Sequence, residues 1–287
     1  MKKLSGIDSV RIWRSKQRGK IVLVPTMGAL HSGHLALIRR AKSLAGPDGC
    51  VVVSIFVNPT QFGPNEDFKK YPRDLQRDLK LCREAGVELV FSPSVEKIYS
   101  ADASTMIEET QVSEPLCGSG RPGHFSGVCT IVAKLFLILS PDVAIFGEKD
   151  WQQLVVLRRM VRDLNFPVRI VSHQIVREVD GLAMSSRNQY LTAPQRTAAP
   201  EIYAALQAVK KRAQAGEKKI SSLRRFLISR LKKISAAEIE YAEILEAETL
   251  QPLQSSGKKS SSQAIAAVAV KLGNTRLIDN IRFTLRT

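Results

Sequence analysis

Over the first 180 positions, apolar residues fall in short unbroken runs separated by amphipathic stretches. The runs KIVLVP (20–25), CVVVSIFV (50–57), VELVFSP (87–93), DVAIFG (142–147) and VRIVSH (168–173) show little polar alternation. A strand that is apolar on both sides is covered on both faces, so these runs predict a parallel sheet between helices. The intervening stretches have helical spacing. GHLALIRRAKSLA (33–45) turns Leu35, Ile38 and Leu44 inward, and PRDLQRDLKLCREAG (72–86) is predicted to start at Pro72 and stop at Gly86. FSGVCTIVAKLFLILS (125–140) is strongly apolar, and DWQQLVVLRRMVRDLN (150–165) has Asp150 in the N-cap position.

The pattern changes near residue 180. LTAPQRTAAPEIYAALQAVKKRAQ (191–214) and a basic stretch at 210–233 come first. AEIEYAEILEA (237–247), SQAIAAVAVKLG (262–273) and TRLIDNIR (275–282) then alternate like antiparallel strands, with QSSGKKSSSQ (254–263) as an exposed low-complexity loop. The expectation is an α/β protein with a parallel-sheet domain over 1–179 and a smaller α+β domain over 180–287. A chain of 287 residues exceeds the usual single domain of about 100–150.

Charge changes this picture less than its size suggests. The excess of 43 Lys and Arg over 27 Asp and Glu is concentrated in KKRAQAGEKKISSLRRFLISRLKK (210–233). Ile220, Leu223, Leu227 and Leu231 recur there at helical spacing, so the cations form the wet face of an amphipathic helix. RNA-binding surfaces interleave aromatics for base stacking. This stretch offers only Phe226, and nucleic acid is not an expected partner. Cys50, Cys82, Cys117 and Cys129 have no metal-ligand spacing and are expected to be reduced, mostly buried thiols. No apolar run approaches membrane-spanning length and no signal-peptide core follows Lys3, so a cytoplasmic location is expected.

Candidate chemistry lies in the loops at strand ends. MGALHSGH (27–34) follows the first apolar run. Gly28 and Gly33 let the backbone approach a ligand, and the helix starting near Ser32 aims free N–H groups at a phosphate. His31 and His34, three apart, can present hydrogen-bond donors to phosphoryl oxygens from one side. DGLAMSSRNQYLT (180–192) places a serine pair and Arg187 on the segment joining the two domains, where closure over phosphates is expected. FVNPTQFGPNEDFKKYPRDLQRD (56–78), GRPGHFSGVCTIVAKLF (120–136) and FGEKDWQQL (146–154) each fall at a strand end or helix start on the same side of the sheet. Asp74 and Asp78, four apart, are expected on a solvated helix face, with steering of Mg²⁺ as the alternative. His173 is expected to be structural.

The His-x-Gly-His and Met-Ser-Ser-Arg pair resembles the signatures of the nucleotidyltransferase superfamily, which attacks ATP at the α-phosphate. With NPTQFG, GRPGHF and FGEKDWQQL added, the chain resembles the pantoate–β-alanine ligase family from about residue 20 to 192, and more weakly beyond. The resemblance implies a Rossmann-like first domain, a smaller C-terminal lid and a homodimer. It also implies joining of (R)-pantoate to β-alanine through a pantoyl adenylate, with ATP as co-substrate and Mg²⁺. By the same resemblance Met27, Gly28, Ala29, Leu30, His31, Ser32, Gly33 and His34 hold ATP, with His34 as proton donor and His31 as phosphate partner. Gly147, Glu148, Lys149, Asp150, Val176, Met184, Ser185, Ser186 and Arg187 surround the nucleotide, and Lys149 is the cation that meets growing phosphate charge. Gln61 touches pantoate and β-alanine, and Gln153 touches pantoate. Asn58, Tyr71, Arg121 and His124 are substrate contacts or supports of these loops. No protein ligand for a metal is identified. A related adenylyltransferase acting on a phosphorylated substrate would need a cationic pocket where Gln61 and Gln153 sit. A basic RNA-binding module is the alternative from another class, and the C-terminal part has no evident anticodon-reading domain.

Overall fold

In the computed structural model, which describes residues 1–64, 66–253 and 262–285, two sheets account for all the strands. The chain runs β1 (Lys2–Leu4), α1 (Ile7–Ser15), β2 (Ile21–Thr26), α2 (Ser32–Ala45), β3 (Cys50–Ile55), α3 (Leu75–Glu84) and β4 (Leu89–Phe91). It continues through α4 (Val95–Ile98), α5 (Cys117–Gly120), α6 (His124–Leu139), β5 (Val143–Gly147), α7 (Trp151–Asp163) and β6 (Arg169–His173). The C-terminal part holds α8 (Ala193–Ala198), α9 (Glu201–Gln214), α10 (Ile220–Leu231), β7 (Ala237–Glu246), β8 (Ser262–Leu272) and β9 (Thr275–Leu285). Short 3-10 turns occupy Pro59–Gln61, Glu148–Asp150 and Ser186–Tyr190.

Strands β1 to β6 form one parallel sheet in the order β1-β4-β3-β2-β5-β6. Strand β2 has no polar face because it has no wet face. Ile21 and Leu23 pack with α1, α6 and α7, while Val22 and Val24 pack with α2 and α3. This is the Rossmann-like arrangement. Strands β7, β8 and β9 form a separate antiparallel sheet. Its central strand is also covered twice. Ala266, Val268 and Val270 meet α9 and α10, whereas Ile265 and Ala267 join the core of the first sheet. The amphipathic reading of the basic stretch holds, with Leu223, Leu227 and Leu231 fully buried.

The structure adds two elements and changes three sequence expectations. Lys2–Leu4 is an edge strand beside β4 and α1 covers Val10 and Trp13; three residues with two lysines gave no strand pattern. Helix α3 begins at Leu75, not Pro72, because the Asp74 side chain accepts the Arg77 N–H at 3.0 Å and caps it. Asp150 occupies the N-cap of α7, but its side chain makes no capping hydrogen bond. Of the expected 254–263 loop, residues 254–261 lie outside the described residues, and Ser262 and Gln263 already belong to β8. All four cysteines are free thiols, and only Cys50 is partly exposed.

Candidate active site

The chain lays β3 and β4 to one side of β2 and then β5 and β6 to the other. Loops leaving β2 and β5 therefore diverge, and a crevice opens at the carboxyl ends of those strands. A cavity of about 240 Å³ fills it.

One buried carboxylate shapes the loop after β2. Gly28 and Ala29 have φ of +82° and +51°. Such a backbone is easy for glycine and strained for alanine. Asp78 of α3 accepts the Ala29 N–H at 2.9 Å and the Leu30 N–H at 2.8 Å, and the Thr26 hydroxyl accepts the Gly28 N–H at 3.1 Å. A Cβ at Gly28 would stand 2.9 Å from Asp78 Oδ2. Asp78 is 1% exposed, which overturns the solvated-face expectation, and both its oxygens are taken by amides. Asp74 alone is exposed.

The loop delivers the two histidines to the start of α2. His31 Nδ1 accepts the Gly33 N–H at 3.1 Å, and His34 Nδ1 accepts the His31 N–H at 3.3 Å. The rings lie 4.1 Å apart. With Nδ1 accepting in both, each neutral ring carries its proton on Nε2. Burial, then the nearby Lys149 charge, lowers His31 to about 4. Burial, then His31 and Lys149, lowers His34 to about 3. Capping and ligand binding therefore use different nitrogens. Nδ1 closes the helix, and Nε2–H has no partner among the described residues.

Opposite them, the turn after β3 carries Asn58 and Gln61. Asn58 is 1% exposed; its amide donates to the Gly127 carbonyl at 3.1 Å and its Oδ1 accepts from the Tyr99 hydroxyl at 2.8 Å. Arg121 donates to both oxygens of Glu66 at 2.6 Å and to the Gln61 carbonyl at 3.2 Å. His124 Nδ1 donates to the same carbonyl at 2.8 Å while its Nε2 accepts from Arg121 at 2.9 Å. Burial, then Arg121, lowers His124 to about 4. Arg121 and His124 thus hold the Gln61 carbonyl in place, and the Asn58 amide donates to the Gln61 side-chain oxygen at 3.3 Å. Helix α6 packs so closely here that a Cβ on Gly127 would lie 2.8 Å from the Gln61 nitrogen.

The remaining wall comes from the end of β5 and the linker. Gly147, Lys149, Asp150, Gln153, Val176, Met184, Ser185, Ser186 and Arg187 line the cavity with Met27, His31, Gly33, His34, Asn58, Gln61 and Tyr71. Lys149 makes no ion pair among the described residues. Asn280 of β9 donates to the Glu148 and Lys149 carbonyls at 2.9 and 3.0 Å and so fixes their turn. Arg187 is clamped by both oxygens of Asp67 at 2.9 Å, and the Tyr71 hydroxyl lies 3.4 Å from Ser186 Oγ.

Not every expected residue reaches the cavity. Gly28, Ala29, Leu30 and Ser32 do not line it; the first two shape the loop and Leu30 is fully buried in the core. The Glu148 carboxylate turns to the Ser172 hydroxyl at 2.8 Å and Arg282 at 2.9 Å. Sequence reasoning missed Asp67 and Asn280, and it gave Asp78 a solvated face or Mg²⁺ steering in place of its hold on the Ala29 and Leu30 amides. It also missed the apolar wall of Val128, Ile131, Val132 and Leu135 on α6, a face indistinguishable by pattern from core. His173, expected to be structural, stands at the cavity edge with Nδ1 donating to the Gln174 carbonyl at 2.8 Å. Among the described residues no group of three or more His, Cys, Asp or Glu is placed to hold a metal ion.

Two outcomes test this geometry. Histidine ¹⁵N spectra at pH 6 should show His31 and His34 neutral and protonated on Nε2, and His124 neutral and protonated on Nδ1. Their folded pKa values lie below the ordinary 6.5, so stability is present above that pH and is lost as pH falls toward about 3 to 4. For buried His34 the slope is at most about 1.4 kcal/mol per pH unit, and His34→Gln should flatten the urea-denaturation profile between pH 6 and 4. Protonated rings at pH 6 would refute the assignment. Separately, Asp78→Asn leaves one amide facing an NH₂ group and should lower stability by about 1–3 kcal/mol, the scale of an orphaned buried donor. An unchanged urea midpoint would remove Asp78 from its structural role.

Known proteins match this architecture throughout. The family profile of pantoate-beta-alanine ligase covers residues 2–282. The pantothenate synthetases of Thermotoga neapolitana and Moorella thermoacetica are each 49% identical, over 98% of this chain and 99% and 98% of theirs. The crystal structure of pantothenate synthetase from Thermus thermophilus superposes with a TM-score of 0.89 at 45% identity, covering 98% of this chain and 99% of that one. That of Francisella tularensis pantoate-beta-alanine ligase, complexed with beta-gamma ATP and beta-alanine, gives 0.78 at 34% identity, covering 98% and 97%. The chain belongs to the pantoate–β-alanine ligase family.

Proposed function

We propose that this chain condenses (R)-pantoate with β-alanine to form pantothenate, using ATP and releasing AMP and pyrophosphate. The observation that carries this reading is the composition of the cavity. Two neutral imidazoles and one unpaired Lys149 face two neutral amides, Gln61 and Gln153, beside the apolar wall of α6. Phosphates suit the first group. A small, branched hydroxy acid suits the second, because an amide can donate to a carboxylate and accept from a hydroxyl.

In the first step a pantoate carboxylate oxygen bonds to the α-phosphorus of ATP. The bond to the β-phosphate bridge breaks, and pyrophosphate leaves with its electron pair. Negative charge grows on the leaving phosphates, where Lys149 and the Nε2–H donors of His31 and His34 stabilise it. A neutral imidazole with so low a pKa donates a hydrogen bond. It becomes a proton donor only when a bound triphosphate raises its pKa, which makes the implied role of His34 conditional on ATP. In the second step the β-alanine nitrogen, as free amine, bonds to the acyl carbon while the acyl–oxygen bond breaks and AMP leaves. The nitrogen then loses a proton to solvent. No enzyme nucleophile takes part. Positioning two anions is the main task.

Mg²⁺ would enter with ATP, since Mg²⁺ keeps several waters and binds through phosphates and one or two carboxylates. Of the nearby carboxylates, Asp78 holds amides and Asp67 holds Arg187. Asp150 lines the cavity without a side-chain partner among the described residues and would meet the metal's shell. Closure of the linker over ATP, the homodimer and a cytoplasmic location belong to the same proposal. No helix among the described residues is long and apolar enough to cross a membrane.

Steady AMP formation should require pantoate and β-alanine together, and pantoate alone should give about one enzyme equivalent of bound adenylate. Turnover without β-alanine, or with tRNA in its place, would overturn the assignment. Gln61→Ala should weaken adenylate formation and its capture by β-alanine, each by about 1–3 kcal/mol. ATP binding alone should stay within about twofold. Lost ATP affinity with normal use of both small substrates would move Gln61 to the nucleotide site.

A further inference from the structure

A second cavity of about 70 Å³ adjoins the first and shares Lys149, Asp150, Gln153, Ser185 and Arg187 with it. Its far wall belongs to the C-terminal sheet and includes Tyr241, Ile278 and Arg276. Four cations line it, and two are already committed. Arg121 is held by Glu66, His124 and the Gln61 carbonyl, and Arg187 by both oxygens of Asp67. Lys149 faces both cavities.

Arg276 differs. Its Nε donates to Glu240 at 2.7 Å and one terminal nitrogen lies 3.6 Å from Cys117 Sγ, while the other terminal nitrogen has no partner among the described residues. Glu240 is the extra residue of a bulge in β7, since Ile239 and Tyr241 pair with the adjacent Val270 and Ala269. A bulge re-aims side chains. Here it sets Glu240 against the Nε edge, anchoring the guanidinium and leaving terminal N–H donors for a ligand. A guanidinium with spare donors on a small cavity favours a carboxylate.

We propose that Arg276 binds the carboxylate of β-alanine, with the amine reaching over the shared wall to the acyl adenylate. This rests on the function proposed above and assigns it a further residue, on the C-terminal sheet. The cavity suits the occupant. It has room for a handful of heavy atoms and not for a nucleotide. Gln61 fits the same path, because Arg121 and His124, which hold its carbonyl, also line the second cavity.

The test compares β-alanine with β-alaninamide, which lacks the negative end, in the wild type and in Arg276→Gln. Pantoate-dependent ATP–pyrophosphate exchange without β-alanine reports the first step. The wild type should prefer β-alanine by about 10- to 100-fold in kcat/KM, as expected for a charged hydrogen bond. Arg276→Gln should lose that preference through a raised KM for β-alanine, with exchange within about twofold and β-alaninamide use unchanged. Arg276→Lys keeps the charge and should recover part of the preference; it also serves if the glutamine variant does not fold. Retained preference in Arg276→Gln, or a loss confined to exchange and ATP use, would overturn the proposal. Absence of exchange in the wild type would instead overturn the function on which it rests.

Discussion

The site depends on one carboxylate accepting two amides. Without Asp78, the left-handed turn at Gly28 and Ala29 would have strained backbone and unpaired N–H groups in a buried place. With it, the chain leaving β2 reverses onto α2 at a fixed angle, and the histidines arrive as cap and donor at once. The carboxylate comes from α3, which follows β3, so the loop is tied to the neighbouring strand unit. Burial raises the Asp78 pKa, and the Leu30 and Ala29 amides oppose that shift by favouring the ionised form.

A comparable constraint acts on the other side of the crevice. The turn that carries Lys149 is held from outside its own sheet, by Asn280 on β9. The adjacent Asp279 is buried against Arg177, with contacts of 2.7 and 2.9 Å, and Arg177 stacks on Tyr203 at 3.4 Å. Arg282 reaches Glu148 and packs over Trp151, whose indole N–H donates to the Ala247 carbonyl at 2.8 Å. The C-terminal sheet therefore helps to shape the wall of the crevice. Its position sets where the ammonium of Lys149 can go.

How much of this was legible in the sequence depended on what each residue touches. Unbroken runs such as IVLVP and CVVVSI mark a doubly covered sheet because the cause, burial on both faces, acts along a single strand. Loop motifs marked part of the cavity wall because several fall at strand ends on one side of the sheet, whereas Tyr71 and Val176 entered only through the family resemblance. Asp78 and Asn280 could not be read in this way. Their partners lie 48 and 132 positions away, and a lone acid on a helix or amide in a strand looks like surface. Asp67 was hidden likewise, because its value lies in Arg187, 120 positions on. The α6 wall failed for another reason. Val128, Ile131 and Val132 face a cavity with the same residues that would face a core.

The distribution of charge around the crevice follows from these supports. A net charge of +16 suggests a cation-rich site, yet the arginines nearest the cavity are neutralised or braced by Glu66, Asp67 and Asp279. They act as fixed struts. Many free cations would bind ATP and its products alike, and uniform binding does not speed the chemical step. Neutral imidazole donors bind a ground-state phosphate weakly and gain as charge grows on it, so they favour the transition state. Lys149, without an ion pair among the described residues, stands at one edge of the cavity. Much of the excess positive charge resides elsewhere, in the stretch 210–233 around the wet face of α10.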